Sequence, residues 1–341
     1  MIETVVVTGG GTGGHLKVAD AFIEEFYKRG INIIFIGSSN GQDKSWFEND
    51  IRIKEKYFLD TRGVVNKKGF GKIASLFNIF SKTIYCLNLY FKYKIKVVIS
   101  VGGFSAAPAT FASILKRDCK LYIHEQNSKM GKLNQLTSKF ADEVFSSFDG
   151  NSLVKDYPVS NEFFNSSRVR EKVKAVAFFG GSQGAVCIND FALKVAFKLN
   201  QMGIKIIHQT GKNDFERVKN EYKRLNINAD VFDFSKQIPL KMSQADFAVS
   251  RAGASTLWEL CANHLPTLFI PYKYAASDHQ YYNAKVLKDK DLCFLQREDE
   301  LNEEYFFEAL KSDIHKISIE LISSINPNAT SQIVDIILKK S

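Results

Sequence analysis

The sequence predicts an α/β protein built as two Rossmann-like domains facing a central cleft. Three observations carry this. Short β-branched runs alternate with amphipathic stretches along the whole chain, as parallel sheets covered by helices require. The runs fall into two series, each opening with a strand that leads into a glycine-rich turn. The length of 341 residues exceeds what one hydrophobic core, limited to ~250–300 residues, ordinarily fills.

The first series reads as strands at Thr4–Thr8, Asn32–Ile36, Val97–Val101, Lys120–His124 and Glu143–Ser146. The second reads as Ala175–Phe179, Lys205–Gln209, Ala229–Phe234, Phe247–Ser250 and Pro266–Ile270. A polar stretch around Asp149–Arg170, containing Tyr157-Pro158, divides them. The expected domains are therefore 1–158 and 164–325. A last helix candidate at about 328–341 can belong to either and is assigned here to the first.

Bulk properties exclude several classes. Hydrophobic residues at 45% and charged residues at 24% are those of an ordinary globular protein, not a disordered one. The net charge is +9, and residues 61–96 alone contribute +8 of it through Arg62, Lys67, Lys68, Lys72, Lys82, Lys92, Lys94 and Lys96, with no acid among them. A chain that is basic only locally is not a general nucleic-acid coat, so no nucleic-acid partner is expected. Five widely spaced cysteines without a C-x-x-C pair suggest neither a disulfide framework nor a zinc site, and point to a reducing cytosol. The N-terminal Met-Ile-Glu-Thr-Val-Val-Val-Thr lacks the basic region and cleavage site of a signal peptide. The most apolar stretch, Ile73 to Phe91, is broken by Asn78, Lys82 and Asn88, which argues against a membrane span.

The chemistry-bearing motifs sit at strand ends. Gly9-x-Gly11-x-x-Gly14 permits a tight turn and lets backbone N–H groups approach a phosphate at a helix N-terminus. A nicotinamide-binding reading needs an acid at the end of the second strand. That strand ends instead in Gly37-Ser38-Ser39-Asn40, and His15 follows the loop. His15 is either a packing residue or a base, because a helix N-terminus keeps imidazole neutral and usable. Gly102-Gly103-Phe104 and His124-Glu125-Gln126-Asn127 follow two further strands, and four hydrogen-bonding residues together suit a ligand crevice better than a solvated loop. In the second half come Gly180-Gly181-Ser182-Gln183-Gly184 and Arg251-Ala252-Gly253-Ala254-Ser255-Thr256-Leu257-Trp258-Glu259. Glu259 suits two ribose hydroxyls, or serves as a dipole partner in a first helical turn. The one D-x-D, Asp289-Lys290-Asp291, reads as a solvated loop, and no metal is expected.

Seven motifs in order, among them Gly10-Gly11-Thr12-Gly13-Gly14-His15, His124-Glu125-Gln126-Asn127, Gly180-Gly181-Ser182-Gln183-Gly184-Ala185, His208-Gln209-Thr210-Gly211-Lys212 and Asp278-His279-Gln280-Tyr281-Tyr282-Asn283-Ala284, carry an end-to-end resemblance. The chain resembles the bacterial UDP-N-acetylglucosamine (UDP-GlcNAc) transferases that form lipid II, within the two-Rossmann (GT-B) glycosyltransferases. The resemblance implies inverting transfer of GlcNAc to the C4 hydroxyl of the muramoyl-pentapeptide of lipid I, without a cofactor. It implies that Ser182 faces the pyrophosphate, that Ala254, Ser255, Thr256, Leu257 and Glu259 hold uracil and ribose, and that Gln280 reaches GlcNAc. Thr12, Gly13, Gly14 and Asn127 complete the donor site, and Gly102, Gly103 and Phe104 form an acceptor diphosphate site. His15 is the first choice for the base and Glu125 the second. Two departures stand out: Tyr157-Pro158-Val159-Ser160 replaces the family's usual Asn-Pro-Val-Arg, and Phe104 replaces the more usual Tyr.

Ile73, Leu76, Phe77, Phe80, Ile84, Leu87 and Phe91 share one helical face, expected mainly to face the core. Ile79, Tyr85, Cys86 and Tyr90 widen the arc, so part of it suits an anionic membrane surface with residues 61–96 as the contact. The implied location is peripheral, on the cytoplasmic face of the inner membrane. The alternatives are a related UDP-sugar glycolipid synthase or UDP-GlcNAc epimerase, a nicotinamide-dependent oxidoreductase, and a basic RNA-binding or membrane adaptor protein.

Overall fold

A computed structural model describes residues 2–61, 63, 70–181 and 184–340. The chain divides into two units, Met1–Pro158 with Asn328–Ser341, and Val159–Pro327. In the first, β1 (Thr4–Thr8), β2 (Asn32–Ser38), β3 (Glu55–Leu59), β4 (Val97–Ser100), β5 (Lys120–Glu125) and β6 (Glu143–Ser146) form one sheet. In the second, β7 (Ala175–Phe179), β8 (Lys205–Gln209), β9 (Ala229–Phe232), β10 (Phe247–Ser250), β11 (Thr267–Phe269) and β12 (Phe294–Leu295) form another. All neighbours are parallel.

The strand orders are β3-β2-β1-β4-β5-β6 and β12-β11-β10-β7-β8-β9. Counted within each unit, both follow the 3-2-1-4-5-6 order of dinucleotide-binding folds, whose ligands sit beyond the carboxyl ends of the strands where the order reverses. Those places are β1/β4 in the first unit and β7/β10 in the second. The glycine-rich turns after β1, β4, β7 and β10 are therefore brought to the two switch points by topology alone.

Helices cover both sheets: α1 (Gly13–Lys28), α2 (Asp43–Phe47), α3 (Phe70–Lys92), α4 (Ala107–Leu115) and α5 (Lys132–Thr137) in the first unit. The second carries α6 (Asn161–Asn165), α7 (Val186–Gln201), α8 (Phe215–Arg224), α9 (Ile238–Gln244), α10 (Ala254–Ala262), α11 (His279–Lys288), α12 (Glu303–Lys311) and α13 (Ile314–Ile322). Their apolar spacing explains their seating. α7 buries Ile188, Phe191, Ala192, Val195, Ala196 and Leu199, a 3-4 repeat that lays one face on the sheet. The last helix, α14 (Ala329–Lys340), packs on α1 of the first unit. Arg29 fixes that contact, reaching Asp335 at 2.5 Å and the Ser331 hydroxyl at 2.8 Å, while Ile333, Val334 and Ile337 are buried.

α3 corrects an expectation. Its face through Ile73, Leu76, Phe77, Phe80, Ile84 and Phe91 is exposed, reaching 72% at Phe77, and only Leu87 of that set is half-buried. The core-facing side is Ser75, Thr83, Cys86, Leu89 and Tyr90, with the Tyr90 hydroxyl donating to the Ala109 carbonyl of α4 at 2.9 Å. Small residues on this side let α3 approach α4 closely, which leaves the larger apolar residues outside. Arg62, Lys67 and Lys68 of the basic segment lie outside the described residues. Among the described residues no helix is long and apolar enough to cross a membrane.

Candidate active-site residues

In the first unit the turn after β1 lies against the turn after β4. The Gly10 amide donates to the Gly102 carbonyl at 3.2 Å, and the Val101 amide to the Thr8 carbonyl at 2.8 Å. Gly103 has φ of 82°, and a Cβ there would strike the Gly10 carbonyl, so only glycine allows the two turns to meet. The Phe104 ring sits over Gly11, where a Cβ would come within 2.5 Å of it. That close packing gives Phe104 a steric role that needs no hydroxyl.

α1 begins directly after the first turn. Thr12 is its N-cap residue but caps no amide with its side chain, and the first turn holds no acid. Its unscreened positive end therefore suits an anion or a developing negative charge. The Thr12 hydroxyl instead meets His15 Nδ1 at 2.8 Å, and His15 is half-buried. Thr12, Gly13, Gly14 and His15 are thus assembled on one helical turn at the β1/β4 switch point.

The His124–Asn127 quartet does not form a four-residue ligand surface, because three of its members turn inward. His124 is buried between Phe22 and Tyr157, with ring centroids at 5.9 and 5.6 Å, and burial lowers its pKa to about 3. Glu125 is buried and accepts from the Asn127 amide at 2.9 Å, the Gly131 amide at 3.0 Å and Asn134 Nδ2 at 2.8 Å. Gln126 donates to the Val101 carbonyl at 2.7 Å. Asn127 alone is half-exposed. The Glu125 carboxylate is engaged as a loop scaffold.

In the second unit, α7 follows the turn after β7 and α10 the turn after β10. Ser182 lies outside the described residues. The amide of Gly180 donates to the Gln209 carbonyl at 3.1 Å, setting that turn against β8. α10 starts at Ala254 without a side-chain cap and with no acid in its first turn. Glu259 consequently lies in the second turn, buried, and the dipole-partner alternative falls. Leu257 is wholly buried and its amide donates to the Gly253 carbonyl at 2.9 Å, so it supports this turn from the core. Ala254 and Ser255 are buried and Thr256 is half-buried. On α11, the Gln280 Oε1 accepts from the Tyr272 amide at 2.9 Å. Asn283 donates to the Ala252 carbonyl at 3.2 Å, which ties α11 to the turn before α10.

Two supporting residues brace these turns, and one of them, Asp43, stands in no motif that would reveal it. Arg251 donates to the Ile270 carbonyl at 3.0 Å and pairs with Glu298, bracing the turns after β10 and β11. Asp43 is wholly buried and accepts from the amide of Gly11 at 2.5 Å and that of Ser38 at 2.8 Å. The departure at Ser160 also has a structural place: its hydroxyl caps α6 by accepting from the Glu162 amide at 3.4 Å.

Comparison with known proteins agrees with this layout. Residues 5–146 match the glycosyltransferase family 28 N-terminal domain and residues 175–337 the family 28 C-terminal domain. A UDP-N-acetylglucosamine--N-acetylmuramyl-(pentapeptide) pyrophosphoryl-undecaprenol N-acetylglucosamine transferase of Campylobacter jejuni subsp. doylei is 51% identical over 339 residues, covering 99% of this chain and 97% of that protein. The transferase of the same name from Wolinella succinogenes is 48% identical over 334 residues, covering 98% and 99%. The crystal structure of Acinetobacter baumannii MurG superposes with a TM-score of 0.82 at 25% identity, covering 99% of each chain.

Proposed function

The chain belongs to the family of UDP-N-acetylglucosamine–N-acetylmuramyl-(pentapeptide) pyrophosphoryl-undecaprenol N-acetylglucosamine transferases, and from that membership we propose a mechanism in which His15 is the general base. The enzyme is a UDP-GlcNAc-dependent hexosyltransferase that transfers GlcNAc to the C4 hydroxyl of the muramoyl-pentapeptide of lipid I, giving lipid II. The α-linked donor and β-1,4 product require inversion, hence a single displacement at the anomeric carbon.

The observation that carries the base assignment is the Thr12–His15 pair at the start of α1. With the proton on Nδ1 donated to Thr12 Oγ1, Nε2 holds the lone pair that takes the acceptor hydroxyl proton. A base so positioned contributes ~10²–10⁴-fold. The departing diphosphate is stabilised by backbone amides of the Ser182 turn, as at other uncapped helix N-termini. Glu259 takes the ribose hydroxyls, Gln280 the GlcNAc, and Gly102–Phe104 the acceptor diphosphate. The Gln280 carbonyl is already engaged by Tyr272, so its amide N–H groups are the side offered to sugar oxygens.

The lipid-linked acceptor requires a membrane contact. The exposed apolar face of α3, with the adjoining basic residues of 61–96, provides it on an anionic surface. The enzyme works there as a peripheral protein on the cytoplasmic face of the inner membrane. Incubation with labelled UDP-GlcNAc and a lipid-linked muramoyl-pentapeptide tests the assignment. Label in the lipid fraction, in a β-1,4 linkage, is expected. Conversion of UDP-GlcNAc to an epimer without transfer would refute it.

A further inference from the structure

We propose that Asp43 is a positioning residue for the transfer reaction, a buried carboxylate that fixes the first glycine turn and so presents Thr12 and His15. The inference rests on the assignment of His15 as base. Asp43 stands at the start of α2, beneath the turn after β1, and is wholly buried. Its Oδ1 accepts from the Gly11 amide at 2.5 Å, and its Oδ2 from the Ser38 amide at the end of β2 at 2.8 Å. Among the described residues no ion pair is formed to this carboxylate, so backbone amides are what solvates its charge. A buried charge held in this way is strongly selective for the geometry of its donors, because losing either leaves it uncompensated.

The surroundings are shaped around it. A Cβ on Gly10 would fall 2.6 Å from the Asp43 carboxyl carbon, and one on Gly37 would fall 2.8 Å from its Oδ2. A Cβ on Gly41 would fall 2.8 Å from the Gly11 Cα. The 37–43 segment and the 9–11 turn thus touch backbone to backbone, with the carboxylate as the clasp. The consequence for chemistry is specific. The Gly10 amide is consumed by the Gly102 carbonyl and the Gly11 amide by Asp43. Neither is available to a ligand, so the part of this turn that meets substrate starts at Thr12. Gly10 and Gly11 serve the clasp, and the clasp sets where α1 begins.

The test compares Asp43→Asn with the native enzyme. The amide oxygen of Asn accepts one of the two amides, while its NH₂ opposes the other. In the second unit, Asp313→Ala removes the side-chain cap of α13 and provides a destabilised control in the unit that does not carry the turn. Chemical denaturation of the first unit gives its folded fraction, calorimetric titration with UDP gives donor affinity and the number of donor sites, and steady-state transfer gives kcat per UDP site corrected for that folded fraction. The expected result is a 10- to 100-fold fall in kcat per UDP site for Asp43→Asn, UDP affinity within twofold of native, and native kcat for Asp313→Ala. If Asp43→Asn does not fold, Gly41→Ala keeps the carboxyl group but presses on Gly11 and on Asp43 Oδ1, 2.8 Å and 3.0 Å from the added Cβ, and the same split is expected of it. Native kcat per site in the folded variant overturns the proposal, as does a loss that merely follows the folded fraction of the first unit. A parallel His15→Ala measurement separates the two readings. If His15→Ala is inactive and Asp43→Asn is native, only the clasp is refuted. If His15→Ala is fully active, the base assignment itself fails.

Discussion

Replacing Phe77 and Phe80 by serine tests the proposed membrane contact of α3 with a magnitude taken from the structure. Phe77 is 72% exposed and Phe80 60%. Burying a phenylalanine completely is worth ~1.5–3 kcal/mol. Scaled by these exposures, each ring offers a bilayer interface about 1–2 kcal/mol, or about a 5- to 30-fold change in partitioning. The double variant should therefore bind anionic vesicles about 30- to 1,000-fold more weakly, since the two contributions multiply. Both side chains face out from the helix, so folding stability should change by no more than about 0.5 kcal/mol each. The assay is co-sedimentation with anionic vesicles at fixed salt, with thermal unfolding as the control. Raising the salt, or changing Lys67 and Lys68 to Glu, should weaken binding further, at ~1 kcal/mol per basic residue near the surface. Native binding by the double variant would refute the assignment, as would indifference to lipid charge.

Two further predictions concern the scaffolds behind the site. His208 is buried, its Nδ1 accepting from the Tyr222 hydroxyl and its Nε2 donating to Asn189 Oδ1, both at 3.0 Å, and burial lowers its pKa from 6.5 to about 3. The unfolded chain therefore binds more protons between those values, so this histidine's contribution is intact above pH 6.5 and lost as pH falls. From pH 7 to pH 5 the loss is about 2 kcal/mol. His208→Gln should flatten the pH dependence of second-unit unfolding by that amount, and an unchanged slope would contradict it. Glu125→Gln sets an NH₂ group against at least one of three hydrogen-bond donors. It should cost about 1–3 kcal/mol in first-unit stability, read by chemical denaturation. Lost activity with native stability would instead make Glu125 a direct participant in catalysis.

Much of this architecture is legible in the residues, for identifiable reasons. The two glycine-rich turns after β1 and β7 mark the openings of the two sheets, and strands such as Val5-Val6-Val7, apolar on both faces and fully buried, announce parallel sheets. The edges are less legible. β3 begins Glu55-Lys56 and is half-exposed over most of its length, and β12 has two residues, so neither shows the apolar run of a central strand. α3 shows why periodicity alone is insufficient. Spacing identifies a face, but with two apolar arcs it cannot say which one meets the core. Small Ser75, Thr83 and Cys86 decided that through close approach to α4. The quartet after β5 hides a similar ambiguity, because hydrogen-bonding residues at a strand end serve a loop scaffold as readily as a ligand. Asp43 was invisible for another reason: its partners are backbone amides, which leave no motif beyond the flanking Gly37 and Gly41.

The base assignment is tested most directly by steady-state transfer of GlcNAc to the lipid-linked acceptor by native and His15→Ala enzyme, beside UDP affinity measured on the same preparations. The account predicts a fall in turnover of ~10²–10⁴-fold with UDP affinity within about twofold, because it assigns the donor nucleotide to the second unit. Turnover within a few-fold of native would contradict it, as would a loss explained entirely by weaker UDP binding.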